Sequence, residues 1–297
     1  MIFSGLSAFP LTPLTEGDID EARFVQLIER LSDAGVDSIG VLGSTGSYAY
    51  LSRSERKRIA QLSVQSAGDI PVIVGIGALR TRDVLELAQD AQMAGAQGVL
   101  LAPVSYQKLT DEEVFSLYET VSRSLSVPLC VYDNPATTHF EFSDELHGRI
   151  AQLPNVASIK IPGVPSNIDA ATVRIKQLRS MLPEHVTIGV SGDAYGACGL
   201  NAGCESWYSV IAGLFPHIAL AITQASQAGE TAKAMQLSDR LAPLWALFLK
   251  YGSLRVIATA AEIRDLVSTP CLPHPVKTLD STIRQRLSKI LDELEIA

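Results

Sequence analysis

Short apolar runs alternate with longer amphipathic stretches along most of this chain. Runs rich in Val, Ile and Leu begin near Ile2, Ser38, Val72, Gly98, Leu129, Val156, Val186 and Glu205, and their length and β-branched content predict strands. Between them, residues 20–34, 52–66, 81–94, 110–126 and 167–181 carry apolar positions at helical spacing. Several of these stretches open with a capping signal or an acidic first turn: Ser52-x-x-Glu55, Thr81-x-Asp83 and Thr110-Asp-Glu-Glu113. Eight strands separated by helices predict a (β/α)8 TIM barrel, and the even units count against a doubly wound open sheet. From about residue 217 the chain reads as helical to its end, punctuated by Pro243, Gly252 and the 270–275 stretch. One domain follows from this pattern: residues 1–216 form the barrel that carries the active site. Residues 217–297 supply the last barrel helix and a C-terminal helical extension of three or so helices, suited to assembly.

Strand parity adds direction. In Asn155-Val-Ala-Ser-Ile-Lys-Ile-Pro162, Ile159 and Ile161 share one face while Ser158 and Lys160 share the other. Leu129 and Val131 likewise oppose Cys130 and Tyr132, and Val186, Ile188 and Val190 oppose Thr187, Gly189 and Ser191. The bulky aliphatic set suits the helix-facing side, so Lys160, Tyr132 and Ser191 are expected to point into the barrel at the C-terminal ends of their strands. Barrel enzymes place their chemistry there.

Length and composition narrow the classes. The chain has 297 residues, enough for one barrel of roughly 250 residues plus an extension. A hydrophobic content of 47% supports a large core and argues against disorder. The net charge of −8 leaves no basic face for tracking nucleic acid. No apolar run approaches about 18 residues, so no membrane span is expected. Cys130, Cys198, Cys204 and Cys271 lack zinc-ligand spacing and read as reduced thiols of a cytoplasmic protein. The segment Met1-Ile-Phe-Ser-Gly shows neither a basic nor a long apolar leader region, so no secretory leader is expected.

Lys160 is the most informative residue. Lysine is rarely buried without a partner, and burial in general disfavours the ammonium and frees the amine as a nucleophile. Its bland alternative is a strand-end lysine whose stem packs on apolar neighbours and whose head reaches solvent. The loop Gly43-Ser-Thr-Gly-Ser47 has the glycines, hydroxyls and N–H groups to hold a carboxylate, although such turns also serve as ordinary β–α connections. Tyr132 is either a core residue with a satisfied hydroxyl or, beside an imine, a phenol that moves a proton.

Taken together, Gly43-Ser44-Thr45-Gly46, Tyr132-Asp133-Asn134-Pro135, Ile159-Lys160 and Ser191-Gly192-Asp193-Ala194 fall in order along the chain. In these motifs the chain resembles the dihydrodipicolinate synthase / N-acetylneuraminate lyase family of Schiff-base barrel enzymes, over nearly its whole length. A late family strand is recognisable in residues 199–209, with Trp207 and Tyr208 where smaller residues are usual. The resemblance implies Lys160 as Schiff-base nucleophile, and Tyr132 as proton relay acting through Thr45. It implies a substrate held by Ser44, Thr45, Gly46, Thr137 and Ser209, with Tyr106 entering a neighbouring subunit's site. It also implies a homotetramer or homodimer, with no metal or organic cofactor.

Three departures separate this chain from the family pattern. Ser47 replaces the glutamate that usually closes the loop, and Ile161 replaces an acidic residue after the lysine. Thr137 stands where true dihydrodipicolinate synthases carry an arginine for the carboxylate of aspartate semialdehyde. Thr137 and His139 either hydrogen-bond a hydroxylated or neutral partner or belong to the scaffold. The expected activity is therefore a class I aldolase or lyase acting on pyruvate or another 2-oxo acid, with a 2-oxo-3-deoxy sugar acid as the favoured substrate. The alternatives are condensation of pyruvate with aspartate semialdehyde, as in true dihydrodipicolinate synthases, and a non-catalytic ligand-binding member of the family. The identity of the second substrate is not encoded in any motif.

Overall fold

A computed structural model describes residues 2–296. Eight parallel strands close into a barrel: β1 (Gly5–Ala8), β2 (Ser38–Val41), β3 (Val72–Gly75), β4 (Gly98–Leu101), β5 (Leu129–Tyr132), β6 (Val156–Ile161), β7 (Thr187–Ser191) and β8 (Ser206–Ser209). Each pairs with its sequence neighbours, and β8 pairs with β1, so the sheet has no free edge. The helices of the outer layer are α1 (Glu21–Ala34), α2 (Arg53–Ser66), α3 (Thr81–Met93), α4 (Asp111–Ser122), α5 (Asp144–Ala151), α6 (Ile168–Arg179), α7 (Gly196–Asn201) and α8 (Pro216–Gln227). Four more follow: α9 (Thr231–Arg240), α10 (Ala242–Tyr251), α11 (Ser253–Ile263) and α12 (Ser281–Glu293). No described helix is long and apolar enough to cross a membrane.

Local signals account for most boundaries. Ser52 and Glu55 form a complete capping box at α2, as do Thr110 and Glu113 at α4. At α3 the acidic first turn is present, supplied by Asp83, but Thr81 is the first helical residue rather than the cap, and Arg80 precedes it without a side-chain cap. The first strand starts at Gly5 rather than near Ile2. Gly5 has φ +72°, and Ile2 and Phe3 instead pack into the barrel, where they crowd Gly98. The extension holds four helices rather than three, because a break at Gly229 separates α8 from α9.

The two faces of the sheet sort as their alternation dictates. Leu129, Val131, Ile159, Ile161, Val186, Ile188 and Val190 join the large cluster beneath the helices. Phe3, Phe9, Ile73, Leu100, Cys130, Tyr132 and Tyr208 form a separate cluster inside the barrel. Ile161 is thus apolar because it faces the helix layer. The residue after the inward lysine points outward.

One backbone contact ties this packing to the 43–47 loop. Leu42, a branched residue, is held at φ +57°, a region that costs of order 1–3 kcal/mol for such side chains. Its carbonyl passes over Gly75, where a Cβ would lie 1.9 Å from the oxygen. Gly75→Ala should therefore destabilise the fold by about 3 kcal/mol, measured by urea unfolding. A change below about 0.5 kcal/mol would show that the loop entry relaxes freely.

Candidate active site

A cavity of about 380 Å³ opens at the C-terminal end of the barrel. Its walls come from the loop after β2 (Ser44, Thr45), the β5 end (Tyr132, Asn134, Thr137), the β6 end (Lys160, Gly163) and the β7 loop (Ser191, Asp193, Tyr195). Phe248, Leu249, Ser253 and Leu254, at the junction of α10 and α11, close one side. The C-terminal extension thus contributes to the site itself.

Lys160 is 4% exposed, so the snorkelling alternative does not apply. Its Nζ lies 4.1 Å from the ring centre of Phe9, 4.1 Å from that of Tyr132 and 5.4 Å from that of Tyr208. No described carboxylate pairs with it. Aromatic faces attract a cation at these distances but supply no proton acceptor of carboxylate strength. Phe9 reaches this position because Gly40 and Gly43 lack a Cβ, which would sit 2.3 and 2.8 Å from its ring.

Tyr132 and Lys160 are register partners on neighbouring strands, which brings them together by sheet geometry alone. The Tyr132 hydroxyl lies 3.4 Å from Ser44 Oγ and accepts from Asn134 Nδ2 at 3.0 Å. The same amide donates to Thr137 Oγ1 at 2.9 Å and to Ser44 Oγ at 3.3 Å. Three acceptors therefore compete for two N–H hydrogens, which holds the hydroxyls in one cluster. Ser44, not Thr45, is the hydrogen-bond neighbour of Tyr132. Thr45 is buried and lines the cavity without a bond to that phenol.

The remaining expected residues divide. Ser191 lines the cavity, its hydroxyl donating to Ile161 O at 2.9 Å. Gly46 sits behind the wall against Leu42 and Thr12, and Ser209 is buried with its hydroxyl accepting from Ala212 N at 3.1 Å. Neither lines the cavity. Tyr106 is 91% exposed and lies away from this chain's own cavity. His139 is exposed and outside it as well, and Ser47 is buried beneath the loop at φ +54°. Phe9, Asn134 and Tyr208 belong to the site without having been singled out for it. Asn134 stood in the tyrosine motif and Tyr208 was conspicuous for its size, whereas nothing in the sequence marked Phe9.

Asp193 braces the far wall by accepting from Val210 N at 3.1 Å and Ile211 N at 2.7 Å, and burial pushes its carboxyl up to about 6. No group of three or more His, Cys, Asp or Glu side chains that could hold a metal ion occurs among the described residues.

Residues 2–294 match the model of the dihydrodipicolinate synthetase family. The chain belongs to that family. It is 32% identical over 272 residues to the 4-hydroxy-tetrahydrodipicolinate synthase of Brucella melitensis, covering 89% of this chain and 90% of that one. It is 29% identical over 277 residues to the Nitrobacter hamburgensis enzyme of the same name, covering 91% of each. Among solved structures, dihydrodipicolinate synthase from Agrobacterium tumefaciens superposes with a TM-score of 0.95 at 45% identity, covering 99% of this chain and 98% of that one. The pyruvate complex of the chloride-inhibited dihydrodipicolinate synthase from Acinetobacter baumannii superposes with a TM-score of 0.89 at 25% identity, covering 99% and 100%. As a member of this family the protein is a Schiff-base-forming lyase.

Behind Tyr132 lies a buried acid–base pair. His147 Nε2 is 3.5 Å from Asp133 Oδ2, and the His147 ring stacks on Phe142. Burial raises Asp133 from 3.8 to about 7 and lowers His147 from 6.5 to about 4, so desolvation drives both toward neutrality. The protonated Asp133 favours the folded chain below about pH 4, and that contribution is lost as pH rises through about 7. His147 has the opposite sign: its contribution is present above about pH 6.5 and is lost as pH falls through about 4. Asp133→Asn should therefore raise stability at pH 8, by on the order of 1–3 kcal/mol, and bring no gain at pH 4. Urea unfolding at the two pH values checks this, and an equal effect at both would contradict a neutral Asp133.

Proposed function

We propose that Lys160 is the nucleophile of a pyruvate-dependent lyase and that its amine attacks the 2-oxo carbon. Water leaves, and the resulting protonated imine draws electrons from the neighbouring carbon. The observation that carries this reading is a buried amine, free of any carboxylate partner, facing a cavity beside a phenol. Ser44 and Thr45 are the proposed carboxylate clamp, and Tyr132 the proton carrier, its hydroxyl held by Asn134. A homo-oligomer and a cytoplasmic location belong to the same reading, supported by the family and by four buried free cysteines.

For the second substrate, the names of the curated relatives favour condensation with aspartate semialdehyde over cleavage of a sugar acid. One observation favours another aldehyde instead. Among the described residues lining the cavity, Lys160 is the one basic side chain, and Thr137 stands where the resemblance places the arginine of true dihydrodipicolinate synthases. Losing a guanidinium–carboxylate pair costs on the order of 2–3 kcal/mol in recognition.

Borohydride with pyruvate should leave a covalent adduct on Lys160, located by peptide mass spectrometry, and Lys160→Ala should abolish it. An adduct that survives Lys160→Ala would remove the proposal. Tyr132→Phe should lower turnover by about 10²-fold or more while leaving imine trapping measurable. A reductase-coupled assay with aspartate semialdehyde decides the second substrate. Should turnover be slow, Thr137→Arg should raise kcat/KM for that aldehyde by about tenfold or more, and no change would count against the missing-arginine argument.

A further inference from the structure

The chemistry described so far occupies only one side of the cavity. The hydroxyl groups that serve it gather on the loops after β2 and β5, beside Lys160. The rest of the wall, from the loops after β7 and β8 and the α10–α11 junction, presents Tyr195, Val210, Phe248, Leu249 and Leu254. Leu249 is 66% exposed and so marks the mouth. The rings of Phe9, Tyr132 and Tyr208 screen the other sides of the Lys160 nitrogen, so a second reactant reaches it past this apolar wall. Tyr195 is the fixed member of the wall. Its ring lies across Gly163 and Gly192, where a Cβ would sit 2.7 and 3.0 Å from its Cδ2. Its hydroxyl has no hydrogen-bond partner among the described residues.

Charge is scarce along this wall. Asp193 is the one carboxylate among the described lining residues, and both its oxygens accept backbone N–H groups. Arg255, next to Leu254, is exposed and outside the lining. Once Lys160 is committed to an imine, a carboxylate brought here would lose water and gain no cation, whereas an apolar group gains by leaving water. Resting on the Schiff-base reading, we infer that the second reactant is an uncharged aldehyde bearing an aromatic ring, which packs against Tyr195 and the α10–α11 junction. The methyl carbon of the bound pyruvate gives up a proton and bonds to the aldehyde carbon, whose oxygen takes up a proton. Hydrolysis of the imine then restores Lys160 and releases a 4-hydroxy-2-oxo acid with the ring on its fourth carbon.

The test compares kcat/KM for benzaldehyde, D-glyceraldehyde and aspartate semialdehyde, each with pyruvate, by following the loss of pyruvate. Borohydride trapping with pyruvate alone reports imine formation separately. Conjugation makes benzaldehyde the least electrophilic of the three, so a preference for it reports the pocket. The parent should favour benzaldehyde by about tenfold or more. Tyr195→Ala should bring that preference near one, with the pyruvate adduct still measurable. Leu249→Asp, at an exposed position, should lower it by about threefold or more and decides the matter should Tyr195→Ala fail to fold. A parent that forms the adduct but favours either polar aldehyde, treats the three alike or turns over none of them overturns this inference alone. An unchanged preference in folded Tyr195→Ala does the same. Absence of any parent adduct removes the Schiff-base reading and this inference with it.

Discussion

The enclosure of one lysine nitrogen by aromatic rings, with no carboxylate to neutralise it, is the constraint around which the barrel interior is arranged. A buried ammonium without a partner is costly, and the usual remedy is an ion pair. Here the remedy is π faces at 4.1 to 5.4 Å and an open cavity on the remaining side. Rings of that size fit inside an eight-stranded barrel only where other positions carry no side chain. Gly40, Gly43 and Gly189 are those positions, each blocked to a Cβ by Phe9 or Tyr208. The small residues of the interior and the large ones are thus one design.

The same economy governs the polar side of the site. The loops after β2 and β5 are far apart in sequence but meet through a single amide, that of Asn134, which reaches Tyr132, Ser44 and Thr137. Orientation by a side chain that is itself held by three acceptors leaves the hydroxyls little rotational freedom. Leu42 at φ +57° and Ser47 at φ +54° bracket the loop, so local strain is accepted where the loop must present Ser44 and Thr45. The α10–α11 junction completes the wall and makes the extension part of the cavity.

Burial also sets the protonation of the groups behind the site. Asp133 and His147 are adjacent, yet desolvation sends them to opposite neutral forms instead of an ion pair. The Asp133 N–H donates to the Lys160 carbonyl at 3.0 Å, so the buried pair is joined through the main chain to the strand that carries the nucleophile. Asp193 is handled differently, its carboxylate satisfied by two backbone N–H groups of the β8 turn.

Alternation with period two and helices with period 3.6 were sufficient to predict the barrel, the inward direction of Lys160, Tyr132 and Ser191, and the outward role of Ile161. Each of these follows from local geometry, because neighbouring side chains on a strand must take opposite faces. The capping boxes at Ser52 and Thr110 were equally local. Contacts between side chains remote in sequence were not readable in this way. Asn134 as the hub of the hydroxyl cluster, Ser44 in place of Thr45 beside Tyr132, and the withdrawal of Gly46 and Ser209 behind the wall all depend on how separate loops meet. Phe9 carried no local signal at all, since a phenylalanine after a strand reads the same whether it fills a core or roofs a lysine. What the chain encodes by itself is which way each residue points. Which residues then touch was decided only when the barrel closed, because closure sets the distances between strands that no local periodicity contains.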